Sequence, residues 1–177
     1  MKVIKAELIL NGKKAVVGHQ FLEDTVRDIP DIKENRPIFA MLAASDNPEV
    51  REMVSRNDNL GKKTIHLLLS DENQEVVENV LSNSSLSKHI KEEVLLRIVK
   101  SGNIKYLKAI ASNLDDYALC DTCKLAAILS KHENVSVRYA LVDFGSSDAV
   151  TTKTLKKLSK DRDTDIAKKA KWALRRR

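Results

Sequence analysis

One eight-residue segment recurs along this chain, and it constrains the fold more than any other feature. It runs Val50–Asn57, Val76–Asn83, Tyr106–Asn113, Val137–Phe144 and, more weakly, Ile166–Ala173. Successive starts lie 26, 30, 31 and 29 residues apart. The first column is Val50, Val76, Tyr106, Val137 and Ile166; the fifth is Val54, Val80, Ile110, Leu141 and Ala170. Apolar residues at i and i+4 mark one face of a helix, so these two columns are the expected core. The third column, Glu52, Glu78, Lys108, Tyr139 and Lys168, points away from it. The eighth is Asn in three copies. Asn tolerates the left-handed conformation, which would end the helix there.

Upstream of each copy lies a second apolar stretch that ends in Ser: Ser45, Ser70, Ser101, Ser130 and Ser159. Polar segments join the two stretches, and Asn47 before Pro48 is an expected N-cap with Pro at the first helical position. Each unit of about 29 residues is therefore helix, tight loop, helix, looser loop. Such a unit cannot bury a core alone, whereas stacked neighbours can. Five glycines and three prolines in 177 residues leave long runs free for helix. The expected fold is all-α: about five helix pairs stacked as a solenoid over residues 37–177. Residues 1–36 form a cap.

The runs Leu42–Arg51 (LAASDNPEVR) and Val50–Asn57 resemble HEAT-like repeats, in particular the leucine-rich-repeat-variant and short bacterial types. The resemblance holds at the level of the repeat and covers about residues 37–174. It implies a right-handed, armadillo-type α-solenoid serving as a binding surface. A few proteins of this kind are DNA-repair glycosylases or cofactor lyases. Some variant-repeat proteins add an iron–sulfur module with a cysteine cluster. No cysteine precedes Cys120, so that function does not carry over.

The first residues read differently. Val3–Leu10, then Asn11-Gly12, then Lys13–Val17 predicts a β-hairpin on a type I′ turn. A lone hairpin is marginal in water and must pack on something. The expected role is a cap over the first repeat, helped by a short helix near Phe21–Val26. The alternative is an open edge that pairs with another chain, giving a homodimer or a β-augmented complex.

Candidate chemistry is sparse. Cys120-Asp-Thr-Cys123 falls where a helix should begin, and the helix dipole there can lower a thiol pKa. Two cysteines cannot close a zinc site alone, so the expected role is structural, with no metal and no cofactor. His19, His66, His89 and His132 are scattered, and His66 is expected to pack among apolar neighbours. A base-handling enzyme would need Tyr139, Asp143 and Trp172 around one pocket. No catalytic constellation emerges. Neither a leader nor a membrane span is expected, and a reducing cytoplasm fits two unpaired cysteines.

Charge is uneven. Residues 148–177 hold eleven Lys/Arg and four Asp, while the remainder is near neutral with 20 basic and 21 acidic groups. Lys153, Lys157 and Lys160 are expected on one helix. Lys168, Lys171 and Arg175 are expected on the last, followed by Arg176 and Arg177. Two binding surfaces follow. The first is a protein-interaction face along the third column. The second is a basic patch that would hold nucleic acid by charge. No membrane partner is expected.

Overall fold

The computed structural model describes residues 6–10, 13–143 and 148–177. Two strands, β1 (Ala6–Leu10) and β2 (Lys13–Val17), pair antiparallel with Ala6 opposite Val17 and Leu10 opposite Lys13. The expected Asn11-Gly12 turn and the first residues of the hairpin lie outside the described residues, as does Phe144. All other regular structure among the described residues is helical. No helix among the described residues is long and apolar enough to cross a membrane.

The chain divides into two compact units, Met1–Leu86 and Ser87–Arg177. In the first, α1 (His19–Asp28) precedes α2 (Arg36–Leu42), α3 (Pro48–Ser55), α4 (Lys62–Leu68) and α5 (Gln74–Ser82). The helix α2 packs on α3 and α4 on α5, while α1, α3 and α5 lie side by side. A single turn, α6 (Ser84–Ser87), follows. The second unit holds α7 (Glu92–Ser101), α8 (Ile104–Ser112), α9 (Thr122–Leu129), α10 (Val135–Asp143), α11 (Thr152–Leu158) and α12 (Thr164–Leu174). Here α7 pairs with α8, α9 with α10 and α11 with α12, and α8, α10 and α12 lie side by side.

The core is wider than two columns. Val50, Val54, Val76, Val80, Val137, Leu141, Ile166 and Ala170 are buried, and so is much of the second and sixth columns, including Val77, Leu81, Leu107, Ala111 and Val142. A stripe at i, i+1, i+4 and i+5 is what a helix needs when it packs on two neighbours at once. Tyr106 departs from the expectation. It is only half-buried, and Leu107 takes the interior place on α8. A phenol keeps one polar end, which favours a position at the rim.

The repeat is also written in hydrogen bonds. The residue three before each first-column position caps its helix: Asn47, Asn73, Asn103, Asn134 and Asp163. Each Oδ1 accepts the backbone N–H two residues on, at 2.9–3.0 Å. The backbone N–H of each cap is held in turn by a side chain two residues upstream. These are Ser45 Oγ, Asp71 Oδ1, Ser101 Oγ, His132 Nδ1 and Asp161 Oδ1. The recurrent Ser has a further use. The hydroxyls of Ser70, Ser101, Ser130 and Ser159 donate to carbonyls three or four residues back, which would otherwise be orphaned at a helix end.

The eighth-column Asn residues close their helices by another route than expected. Asn83 and Asn113 have negative φ, −91° and −121°. The Asn57 and Asn113 amides instead donate to the Val54 and Ala109 carbonyls at 3.2 and 2.8 Å. A side-chain donor satisfies the last turn without left-handed backbone.

Two second-column positions carry arginine, and both make the same clamp. Arg51 donates through Nε and Nη2 to Asp71 at 2.7 and 3.0 Å, and through Nη1 to the Ser45 and Asp46 carbonyls. Arg138 repeats this on Asp161, at 2.8 and 2.9 Å, and on the His132 and Glu133 carbonyls. Each clamp ties one helix pair to the cap of the next. The planar fork suits a carboxylate approached side-on.

Candidate functional site

The helices α10 and α12 turn one mixed face outward. Tyr139 stands on α10 and Asp143 follows one turn later. Lys169 reaches across from α12, with its ammonium 2.9 Å from Asp143 Oδ1 and 5.1 Å from the centre of the Tyr139 ring. Two adjoining grooves open there. One is lined by Lys108, Ser112, Tyr139 and Asp143, the other by Val142, Asp143, Lys168, Lys169 and Trp172. Trp172 is 48% exposed, and the Arg176 guanidinium lies 3.8 Å from the centre of its ring. Tyr139, Asp143 and Trp172 thus share one face.

The charges of that face are paired across the two helices. The Lys169 ammonium, bonded to Asp143, keeps that carboxyl below the usual carboxylate range, with a smaller contribution from Tyr139. Asp143 in turn raises the Lys169 ammonium. An ionised, ion-paired carboxylate has no proton to give a leaving group at neutral pH. Lys108 and Lys168 are exposed beside it, and Lys168 makes only a long 3.7 Å pair with exposed Asp165. Of the remaining third-column residues, Glu52 and Glu78 belong to the first unit and are half-buried; Glu52 pairs with Arg56 on its own helix.

The expected basic cluster divides. Lys153 and Lys157 lie exposed on α11, but the helix ends at Leu158 with Ser159 as its C-cap, so Lys160 stands in the following loop. Lys171 is exposed on α12 and Arg175 is the C-cap of that helix. Arg176 covers Trp172, and Arg177 donates to the Val150 carbonyl at 2.7 Å. Lys157 and Lys160 instead share a separate groove with Lys131, Lys156 and Arg162. Those three were not singled out from the sequence. The signal was the position after each Ser: Asp46, Asp71, Gly102, Lys131, Lys160. It runs from acidic to basic along the chain.

No known protein family matches this chain, and no curated protein matches it either.

The cysteines do not form an activated pair. Cys120 precedes the α9 cap, Asp121, and its thiol lies 3.4 Å from the Ile90 carbonyl. Burial, with a smaller push from Glu92, raises that thiol to about 11, opposite to the lowering expected at a helix start. Cys123 is exposed. At pH 8, Cys120 should react with iodoacetamide about a hundredfold more slowly than free cysteine, because so little of it is thiolate. Peptide mass spectrometry against time would show this, and equal rates would contradict it. His66, expected to pack, is exposed. No group of three or more metal-ligating side chains occurs among the described residues.

Proposed function

We propose that this chain is a non-catalytic binding protein: a right-handed α-solenoid of five HEAT-like helix pairs that holds a protein partner on the ridge of its second helices. One observation carries the reading. The mixed face on α10 and α12 offers two large aromatic side chains, Tyr139 and Trp172, within a net of charges. Protein interfaces concentrate their energy in such residues, because Trp and Tyr combine large contact area with a polar edge. The lysines flanking them favour a partner segment carrying carboxylates. The repeat period supports the solenoid, since each pair needs a neighbour to cover its core. Two free thiols fit a reducing cytoplasm.

The test is affinity capture with the full chain, identification of the bound protein, and titration of that protein against variants. The double variant Tyr139→Ala/Trp172→Ala should weaken binding at least thirtyfold, the size of one strong hot spot. Lys153→Ala, away from the ridge, should leave it unchanged. Equal affinity for the double variant and the native chain would remove the ridge as the working surface.

A further inference from the structure

We infer that the lysine groove at the loop end of α9 and α11 is a site for the phosphate backbone of a nucleic acid. The inference is independent of the ridge reading. The groove is formed by the loops that follow Ser130 and Ser159 together with the last turn of α11. Six cations and two carboxylates line it. One of those carboxylates, Asp161, is consumed by Arg138 in the clamp. The other, Glu133, is exposed and offers its backbone carbonyl to both Arg138 and Arg162. That leaves Lys131, Lys156, Lys157 and Lys160 exposed around one concavity, together with exposed Arg162, which is bonded to the Glu133 carbonyl. Desolvation first, then repulsion by Lys131, pulls the Lys157 ammonium below its ordinary value, as expected where cations crowd together. An anion in the groove would relieve that repulsion.

The lining distinguishes the class of anion. It contains no Phe, Tyr or Trp, its one imidazole, His132, accepts the Asn134 backbone N–H, and its one apolar residue, Leu158, is buried. Protein interfaces are depleted in lysine and enriched in large aromatics; the α10/α12 face has Tyr139 and Trp172, whereas this groove has lysines and neither Tyr nor Trp. Lysine ammoniums act as point charges on phosphate oxygens, and a surface of them with no stacking platform or base-reading fork binds backbone without regard to sequence. Repeat geometry makes the groove continuous. Lys131 and Lys160 occupy the same position in successive helix pairs, so the charges line up from one loop to the next.

The experiment is fluorescence anisotropy of the full chain with a labelled 20-base-pair DNA duplex and a labelled single strand. Four phosphate contacts predict a duplex log–log salt slope of about −3.6. The triple variant Lys131→Glu/Lys157→Glu/Lys160→Glu should bind at least thirtyfold more weakly, with a slope near zero. The glutamine version should fall between. A control with the same charge change, Lys153→Glu/Lys168→Glu/Lys171→Glu, should stay within about threefold of the native chain, as should Tyr139→Ala/Trp172→Ala. Circular dichroism checks that every variant is folded. Absence of binding to either probe at 20 mM salt overturns the inference, as do equal losses in the two charge-reversed triples. Displacement of the duplex by poly-glutamate at equal charge would also overturn it, by marking the groove as a site for acidic protein.

Discussion

Arg138→Ala is expected to cost the second unit about 3–5 kcal/mol, read as a fall in the urea midpoint followed by circular dichroism. The guanidinium and its partner Asp161 are nearly sealed from solvent, with side-chain exposures of 6% and 8%. Removing one member leaves the other charge buried without compensation, which is the costly case. In the loop before α10 the His132 carbonyl loses the Arg138 donor as well, and the Glu133 carbonyl keeps Arg162. Replacing both partners by apolar residues, as in Arg138→Met/Asp161→Leu, should recover much of the loss, because the penalty lies in the orphaned charge more than in the bond. Asp161→Asn adds a pH signature. Its carboxyl is held below the ordinary value, first by the Arg138 hydrogen bonds and then by the Asp163 backbone N–H, against the opposing effect of burial. A depressed carboxylate stabilises the fold fully above its unfolded pKa, near 4, and loses that contribution as pH falls through the native value. The gap between the native chain and Asp161→Asn should therefore be flat from pH 5 to 8 and shrink below about pH 4. A gap that widened under acid would mean the pair contributes nothing through charge.

The helical pattern was legible because it is periodic: the columns built on Val50 and Val54 predict where α3, α5, α8, α10 and α12 fall. The clamps were present in the same alignment but needed geometry to be seen. Arg stands in the second column at Arg51 and Arg138, and the residue two before the next cap is then Asp71 or Asp161. Where the second column is Leu107, the residue two before the next cap is His132. Spacing alone does not reveal that a buried column can accept a guanidinium. The aromatic face was partly legible, since Tyr139, Asp143 and Trp172 fall in outward columns. Its central contact, Lys169, was not, because a long side chain crossing between helices leaves no trace in the period. The lysine groove was least legible. Loop residues have no periodicity, and Lys156 and Lys157 differ from Lys153 only in what the neighbouring loop brings near them.

The column reading and the structure part most sharply on α8, where two truncations separate them. Ile110 is fully buried in a helix that packs on both α7 and α10. Ile110→Ala should cost about 2–5 kcal/mol, the transfer of the lost methyl groups plus a cavity that two packed neighbours cannot close. Ile110→Val, losing one methylene, should cost about 1 kcal/mol. Tyr106→Ala removes a larger side chain, and on the column reading it should be the worse of the two. The half-buried position predicts otherwise. The residue is only partly buried, and Leu107 beside it fills the interior. Its loss should stay near 1 kcal/mol, within the usual range for substitutions outside a core. Urea midpoints of the three variants rank the positions directly. A larger loss at Tyr106 than at Ile110 would mean that the first column carries the α8 core after all. The ranking Ile110→Ala, then Ile110→Val and Tyr106→Ala together, would place that core on Leu107 and Ile110, where one helix has two neighbours to satisfy.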